Sequence, residues 1–542
     1  MRVLVLGLDG ADYDLVRELT AQGKLPTISR LSREGAFGPL RSTIPALTPT
    51  AWSSFLTGLN PAGHGIFNFS SNPNRSTARV ESARSRAGAP FWRMLGAAGI
   101  RSAFVGIPFT FPPEPMAGVL VTGYGGPERP AIVPERARER ILEAHPDLVT
   151  AHHPMGERWW EDFDRYTARL VEHVEQIADV ARLTFELEPD LGVLCVDFMS
   201  SDHAGHLGYH RLDPAHPAHD PDDTGDELVR VYEAVDRACG ELIDAAGERF
   251  GEEPTALVLS DHGMKPIHWV FHVNRWLEER GHLRYRRRSL QGLRGTRLDY
   301  VRKVDQRLAR TTRVWGRALD FLPLLPEPGA DRAFADIDFG STRAYSFASG
   351  GQVFLGEVTG ARRDPHYAAR LQEELEAIRH PETGEPGFAV KRKEELYRGP
   401  FLDKAPELVL LPRDERVYVD SSRRPWTQAF ERHERLDPDS FYGFSGHHAL
   451  TGILAAAGPG IAPADVPEGS EITQLAATVL ALHGLAADRL DGAPITGILS
   501  DGGAQAERTA AAHGAPAPAE QSVYSAEEEA EMIERLRDLG YE

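Results

Sequence analysis

Asp, His or Thr follows directly on an apolar run, or within a few residues of one, in five segments spread along the chain. They are Asp9 in VLVLGLDG, Thr48 in IPALTPTAW, Asp202 and His206 in VLCVDFMSSDHAGH, Asp261 and His262 in ALVLSDHGM, and His447 and His448 in GFSGHHALTGIL. Short runs that are apolar at nearly every position fit strands buried on both faces, as in parallel sheets. Residues 2–8, 102–106, 118–122, 191–196 and 255–260 read this way. Amphipathic helical patterns near 11–22, 26–35, 157–187 and 225–249 separate them. Strands alternating with helices predict βαβ units and an α/β core with a mainly parallel sheet. Such a sheet gathers the carboxyl ends of its strands along one edge, where ligands bind. The polar residues that follow these runs are therefore expected to share one crevice.

The length of 542 residues exceeds what one simple core accommodates, so two domains or one elaborated domain is expected. A net charge of −20 disfavours nucleic acid or an anionic membrane as a partner of the whole surface. A small anionic substrate would need local positive charge, which bound metal ions can supply. Two cysteines, Cys195 and Cys239, do not make a disulfide scaffold. Met1-Arg2 leads straight into VLVLGL, which is too short for a signal core, and no apolar stretch approaches the roughly 20 residues of a membrane helix. The expectation is a cytoplasmic protein; nothing in the chain speaks to its oligomeric state.

The texture changes between about 270 and 400. A basic stretch, RYRRRSLQGLRGTRLDYVRK, precedes Pro-rich FLPLLPEPG and two strand-like pieces, RAYSFAS and GQVFLGEV. The reading is a catalytic core over 1–269 and 401–500 with an inserted cap over 270–400. The core is taken to resume at ELVLLP (407–412), GILAAAGPG (452–460) and a helix over 472–485. Residues 501–521 have linker composition, and a C-terminal helix is expected within 522–542.

Each motif has a plain alternative. Asp-Gly after a strand is more often only a turn, and GLDGAD does not match the dinucleotide fingerprint. Asp261-His262 suits two ligands on one ion, or a helix cap beside an exposed imidazole. Asp202 and His206 lie one helical turn apart, a carboxylate and an imidazole suited to zinc or manganese. Asp197, His203 and His210 are close enough in sequence to compete with them. In TPTAWSSFLTGLNPAGHGIFNF, a helix start could receive a phosphate, and Thr48, Thr50, Ser53 and Ser54 all offer hydroxyls. The loop AHPAHDPDD (215–223) reads as solvated. The Arg run at 284–288, followed by Leu298, Val301, Val304 and Leu308, reads as a basic amphipathic helix of the cap.

Taken in order, these segments resemble the alkaline phosphatase superfamily, and within it the bacterial members of the type I phosphodiesterase/nucleotide pyrophosphatase family. LGLDG, TPTAWSSFLTGLNPAGHGIFNF, VGIPFTFPPEPMAGVLVTG, DHAGH, LSDHGM, STRAYSF, ELYRGP, GHHALTGILAAAGPGI and ERLRDLGYE carry the resemblance over nearly the whole chain. It implies an alkaline-phosphatase-like three-layer α/β/α sandwich with an inserted cap. It also implies two divalent metal ions, zinc with manganese as the alternative. Asp9, Thr48, Asp261 and His262 would hold one, and Asp202, His206 and His448 the other. Spacing to the following glycine selects His448 over His447 in the resemblance, and Thr48 takes the place of the nucleophile.

The activity so implied is hydrolysis of phosphodiester or pyrophosphate bonds of nucleotide-type substrates through a phosphothreonine. One departure stands out: the family's phosphate-binding Asn, three residues after the nucleophile, is Ala51 here. Lys265 is a candidate substitute. Two other readings compete, a phosphomonoesterase or phosphoglycerate-mutase-like phosphotransferase, and a catalytically idle metal-binding protein. The mutases use Ser as nucleophile and carry more metal ligands, which weighs against the first.

Overall fold

In the computed structural model, residues 1–71, 79–150, 162–223, 225–286, 336–347, 350–422, 428–436, 443–487, 489–500 and 508–510 are described, with 523–524, 529 and 532. A nine-stranded sheet forms the centre. Its order is 464–465, 36–41, 451–457, 255–259, 3–8, 191–198, 101–105, 118–121, 132–133. Val3–Leu8 lies in the middle, parallel to both Leu191–Phe198 and Thr255–Leu259. Thr451–Ala457 runs antiparallel to its neighbours, as does Ile132–Val133 at the far edge.

Side chains alternate across a strand, and here both faces are buried. Leu4, Leu6 and Leu8 pack on one face with residues of the long helices Phe163–Leu187 and Glu227–Phe250. Val3 and Val5 pack on the other with Trp52, Phe55, Leu56 and the helix Leu475–Leu482. The three-layer α/β/α architecture follows from that double burial. Both cysteines are free and buried. No helix of the described residues is long and apolar enough to cross a membrane.

A second, smaller unit has its own apolar cluster, including Phe271, Trp276, Tyr345, Val353, Leu371 and Phe388. Its four-stranded sheet joins Ala344–Ser346, Gln352–Leu355, Leu408–Pro412 and Phe388–Arg392. Here the structure departs from the sequence reading. Residues 407–412 do not return to the core: Leu408–Pro412 pairs antiparallel with Phe388–Arg392 and with Gln352–Leu355. An apolar run of that length fits either sheet, and only the pairing partner decides. Within the stretch read as a linker, Arg508–Ala510 pairs with Leu485–Ala487. Leu298, Val301, Val304 and Leu308 lie outside the described residues, as does most of the expected C-terminal helix.

Candidate active site

The central strands end in register, with Leu8 opposite Phe198 and Gly7 opposite Leu259. Asp9, Asp202 and Asp261 therefore emerge together at the carboxyl edge. Gly10 has φ +67, and a Cβ there would sit 2.9 Å from Asp202 Oδ1. Only glycine lets the chain turn this close to the neighbouring carboxylate.

The first cluster holds Asp9, Asp261 and His262, all fully buried. His262 Nε2 lies 3.5 Å from Asp9 Oδ1, 3.4 Å from Asp261 Oδ2 and 3.2 Å from Thr48 Oγ1. Thr48 is the first residue of the helix Thr48–Thr57, which is buried along its length and ends at the left-handed Gly58. Leu47, not a threonine, occupies the helix cap. The second cluster holds Asp202, His206 and His448. His448 Nε2 is 3.2 Å and His206 Nε2 3.5 Å from Asp202 Oδ1, and the two Nε2 atoms are 3.0 Å apart. The rings of His262 and His448 stack at 3.7 Å and join the clusters.

The protons of these imidazoles are placed by their other contacts. His206 Nδ1 donates to the Gly446 carbonyl, His448 Nδ1 to that of Ala46 and His262 Nδ1 to that of Gly263. A carbonyl only accepts, so each Nδ1 carries the hydrogen and each Nε2 turns a lone pair into the crevice. Burial lowers the His206 and His262 pKa values to about 4 and lowers that of His448, which keeps all three neutral.

Facing these lone pairs, Asp9 Oδ1, Asp202 Oδ1 and Asp261 Oδ2 are buried without a hydrogen-bond partner. Among the described residues, no lysine or arginine pairs with these carboxylates. Each ion buried without compensation costs several kcal/mol. Burial, then the negative charge of Asp261, Asp197 and Asp202, pushes the Asp9 carboxyl well up. Burial and Asp202 raise Asp261 to about 7. Acceptors converging on acceptors in this way fit divalent cations, with Asp and His as the donor set.

The competing residues lie elsewhere. Ser54 Oγ meets His64 Nε2 at 2.9 Å, but His64 Nδ1 accepts the Ile66 N–H. His64 Nε2 therefore holds the proton, and no lone pair remains to activate Ser54. Thr50 Oγ1 and Ser53 Oγ are buried without hydrogen bonds. His447 points to the opposite face of its strand from His448 and donates to the Glu415 carbonyl at 2.7 Å. Asp197 is buried behind Gly7, where an added Cβ would meet both its Oδ1 and the Trp52 ring. Lys265 is held by Asp12 and Asp14, each at 2.9 Å, and takes no part in either cluster. Ala51 is fully buried in the core behind the helix. In the loop read as solvated, His216 is buried among the rings of His210, His268 and His433.

Residues outside the motif readings complete the surroundings. Trp52 Nε1 donates to Asp9 Oδ2 at 2.9 Å, and Ser201 Oγ donates to the Asp9 carbonyl at 2.7 Å. Ser260 Oγ accepts the Ala11 N–H at 2.8 Å and donates to the His262 carbonyl. The Ser260–His262 contact is local, but nothing in local spacing reveals the other partners, which lie 43, 192 and 249 positions away.

The family model for type I phosphodiesterase/nucleotide pyrophosphatase matches residues 3–435. The chain belongs to that family. It is thereby a phosphoryl-transfer hydrolase of the metal-dependent phosphodiesterase/nucleotide pyrophosphatase type. No curated protein matches the chain. Solved structures that resemble it include human ectonucleotide pyrophosphatase/phosphodiesterase 5, at 14% identity and TM-score 0.49, covering 92% of this chain and 100% of that one. The inactive murine counterpart in complex with AMP has 15% identity and TM-score 0.49 over the same shares. Phosphonoacetate hydrolase from Sinorhizobium meliloti, in complex with phosphonoformate, has 17% identity and TM-score 0.48, covering 88% and 94%.

Proposed function

We propose that this hydrolase cleaves a phosphodiester or pyrophosphate bond of a small anionic ester with Thr48 as nucleophile. Asp9, Asp261 and His262, with Thr48, would hold one divalent cation; Asp202, His206 and His448 would hold a second. Zinc suits these donors and manganese is tolerated. The observation that carries the reading is Thr48 Oγ1 at 3.2 Å from His262 Nε2, beside carboxylate oxygens that lack partners.

Bound divalent cations would lower the pKa of the threonine hydroxyl and neutralise charge on the phosphoryl oxygens. Thr48 Oγ1, deprotonated, forms a bond to phosphorus while the bond to the departing oxygen breaks. Water then attacks the phosphothreonine from the other side and restores the hydroxyl. A helix start can offer backbone N–H groups to a phosphoryl group, but here Pro49 has none and the Ala51 N–H is taken by the Leu47 carbonyl at 2.8 Å. Asp9 and His206 are held by Trp52 and by the Gly446 carbonyl, so the donor atoms need little rearrangement.

Parallel assays of metal-loaded protein on bis-p-nitrophenyl phosphate and p-nitrophenyl phosphate test the reading. Diester preference with a trapped phosphothreonine is the expected result. Preference for the monoester, or full metal content without turnover, would overturn it.

A further inference from the structure

Beside the histidine pair of the second cluster, a cleft partly open to solvent runs between the core and the smaller unit. His206 and His448 belong both to this cleft and to the second cluster. One wall is Pro45, Ala46 and Leu47, the residues that lead directly into Thr48. The opposite wall comes from the smaller unit, through Leu410, Leu411, Pro412 and the strand around Tyr418. Gly350 brings that unit onto the core wall: it has φ +84, and a Cβ there would lie 2.8 Å from Pro45 Cβ. The cleft is therefore continuous with the proposed reaction centre and built by both units.

Its lining is chemically one-sided. Among the described residues it includes no lysine or arginine, and the one carboxylate in it is Glu415. Beyond the proposed cation site at its His206 and His448 end, a chain of phosphates in this space would meet an anion and, among the described residues, no countercharge. A sugar would leave several hydroxyls facing Leu, Val and Pro side chains, where unmade hydrogen bonds are penalised. An apolar chain or ring meets neither obstacle and gains from leaving water.

We propose that this cleft receives an apolar alcohol substituent of the substrate, so that the enzyme acts on a single-phosphate ester bearing an alkyl or aryl group. The inference rests on the hydrolytic reading above and specifies its substrate class. Nucleoside polyphosphates are poor occupants.

The test uses metal-loaded protein and alkyl p-nitrophenyl phosphates from methyl to octyl, with thymidine 5′-p-nitrophenyl phosphate for comparison. Calorimetric titration with methyl-, butyl- and octylphosphonate supplies a readout independent of turnover. We expect kcat/KM and phosphonate affinity to rise with chain length, by up to about fourfold per methylene until the cleft is filled. Leu411→Glu, at a half-buried lining position, should collapse the octyl-to-methyl ratio. Turnover with no chain-length dependence, or a preference for the thymidine ester over the octyl ester, overturns the cleft assignment. If no ester is hydrolysed but octylphosphonate still binds tighter than methylphosphonate, the cleft stands and the hydrolytic reading falls. If neither occurs, both fall.

Discussion

Trp52 donates its indole N–H to Oδ2 of Asp9 at 2.9 Å, and both side chains are fully buried. The indole is held edge-to-face by Phe55 at 5.2 Å, which meets Phe91 at 5.4 Å, which in turn meets Phe104 at 5.4 Å. This aromatic stack occupies one oxygen of Asp9 and leaves Oδ1 toward His262. Trp52→Phe keeps much of the ring packing and removes the donor. Metal affinity or kcat should fall about 10- to 100-fold, the range for losing a partner behind a ligand. Metal titration of the stripped variant alongside its circular dichroism checks this. Unchanged affinity in a folded variant would show that Asp9 needs no such anchor.

Thr48→Ala removes the hydroxyl that lies 3.2 Å from His262 while the helix around it stays packed. Turnover should drop below about one-thousandth of the parent, as for other removed nucleophiles. Metal should remain bound, because Asp9, Asp261 and His262 are untouched. Thr48→Ser should retain measurable turnover and the covalent phosphoprotein. Metal analysis and phosphate trapping decide the matter; near-parental activity in Thr48→Ala would remove Thr48 from the chemistry.

The sheet and the edge at which its strands end together were legible because VLVLGL, LGVLCV and TALVLS admit few other uses in a chain of this size. Asp9, Asp261 and His262 follow those runs so closely that the register alone brings them together. Choosing Asp202 over Asp197 required more than pattern, since both lie at the same strand end. The geometry separates them through His206 and His448, which face Asp202. The Trp52–Asp9 bond was not legible, because it depends on where a helix packs across the sheet. Nor was the home of Leu408–Pro412, whose apolar run suits either sheet equally. His216 escaped for a related reason: a loop rich in Asp and Pro reads as wet until tertiary packing buries one of its imidazoles.

Adjacent residues on one strand supply an internal control. His448 turns Nε2 toward Asp202 at 3.2 Å, whereas His447 turns the other way and donates to the Glu415 carbonyl. His448→Ala should lower kcat/KM by at least about 100-fold. His447→Ala should cost about 1 kcal/mol of stability, the usual worth of one hydrogen bond, and because His447 also lines the cleft the comparison uses methyl p-nitrophenyl phosphate, for which kcat/KM should stay within a few-fold of the parent. Steady-state kinetics paired with urea unfolding separates the two effects. Equal kinetic losses would show that the strand, and not the His448 donor atom, matters.

Acid should weaken the fold partly through His64. Burial, followed by the nearby Arg86 charge, lowers its pKa from 6.5 to about 3, so it stays neutral when folded. Unfolded, it gains a proton below about pH 6.5. Between pH 6.5 and 3 the unfolded state thus binds more protons, and stability falls as pH falls. The contribution is about 1.4 kcal/mol per pH unit while only the unfolded form is protonated. His64→Gln keeps a donor for Ser54 and removes the titration. Its stability at pH 7 should be lower, but its decline from pH 6.5 to 4 should be shallower than the parent's by about one proton. Urea midpoints measured across that interval give both slopes. Parallel curves would mean that His64 is protonated in the folded protein, and that its Nδ1 does not accept the Ile66 N–H.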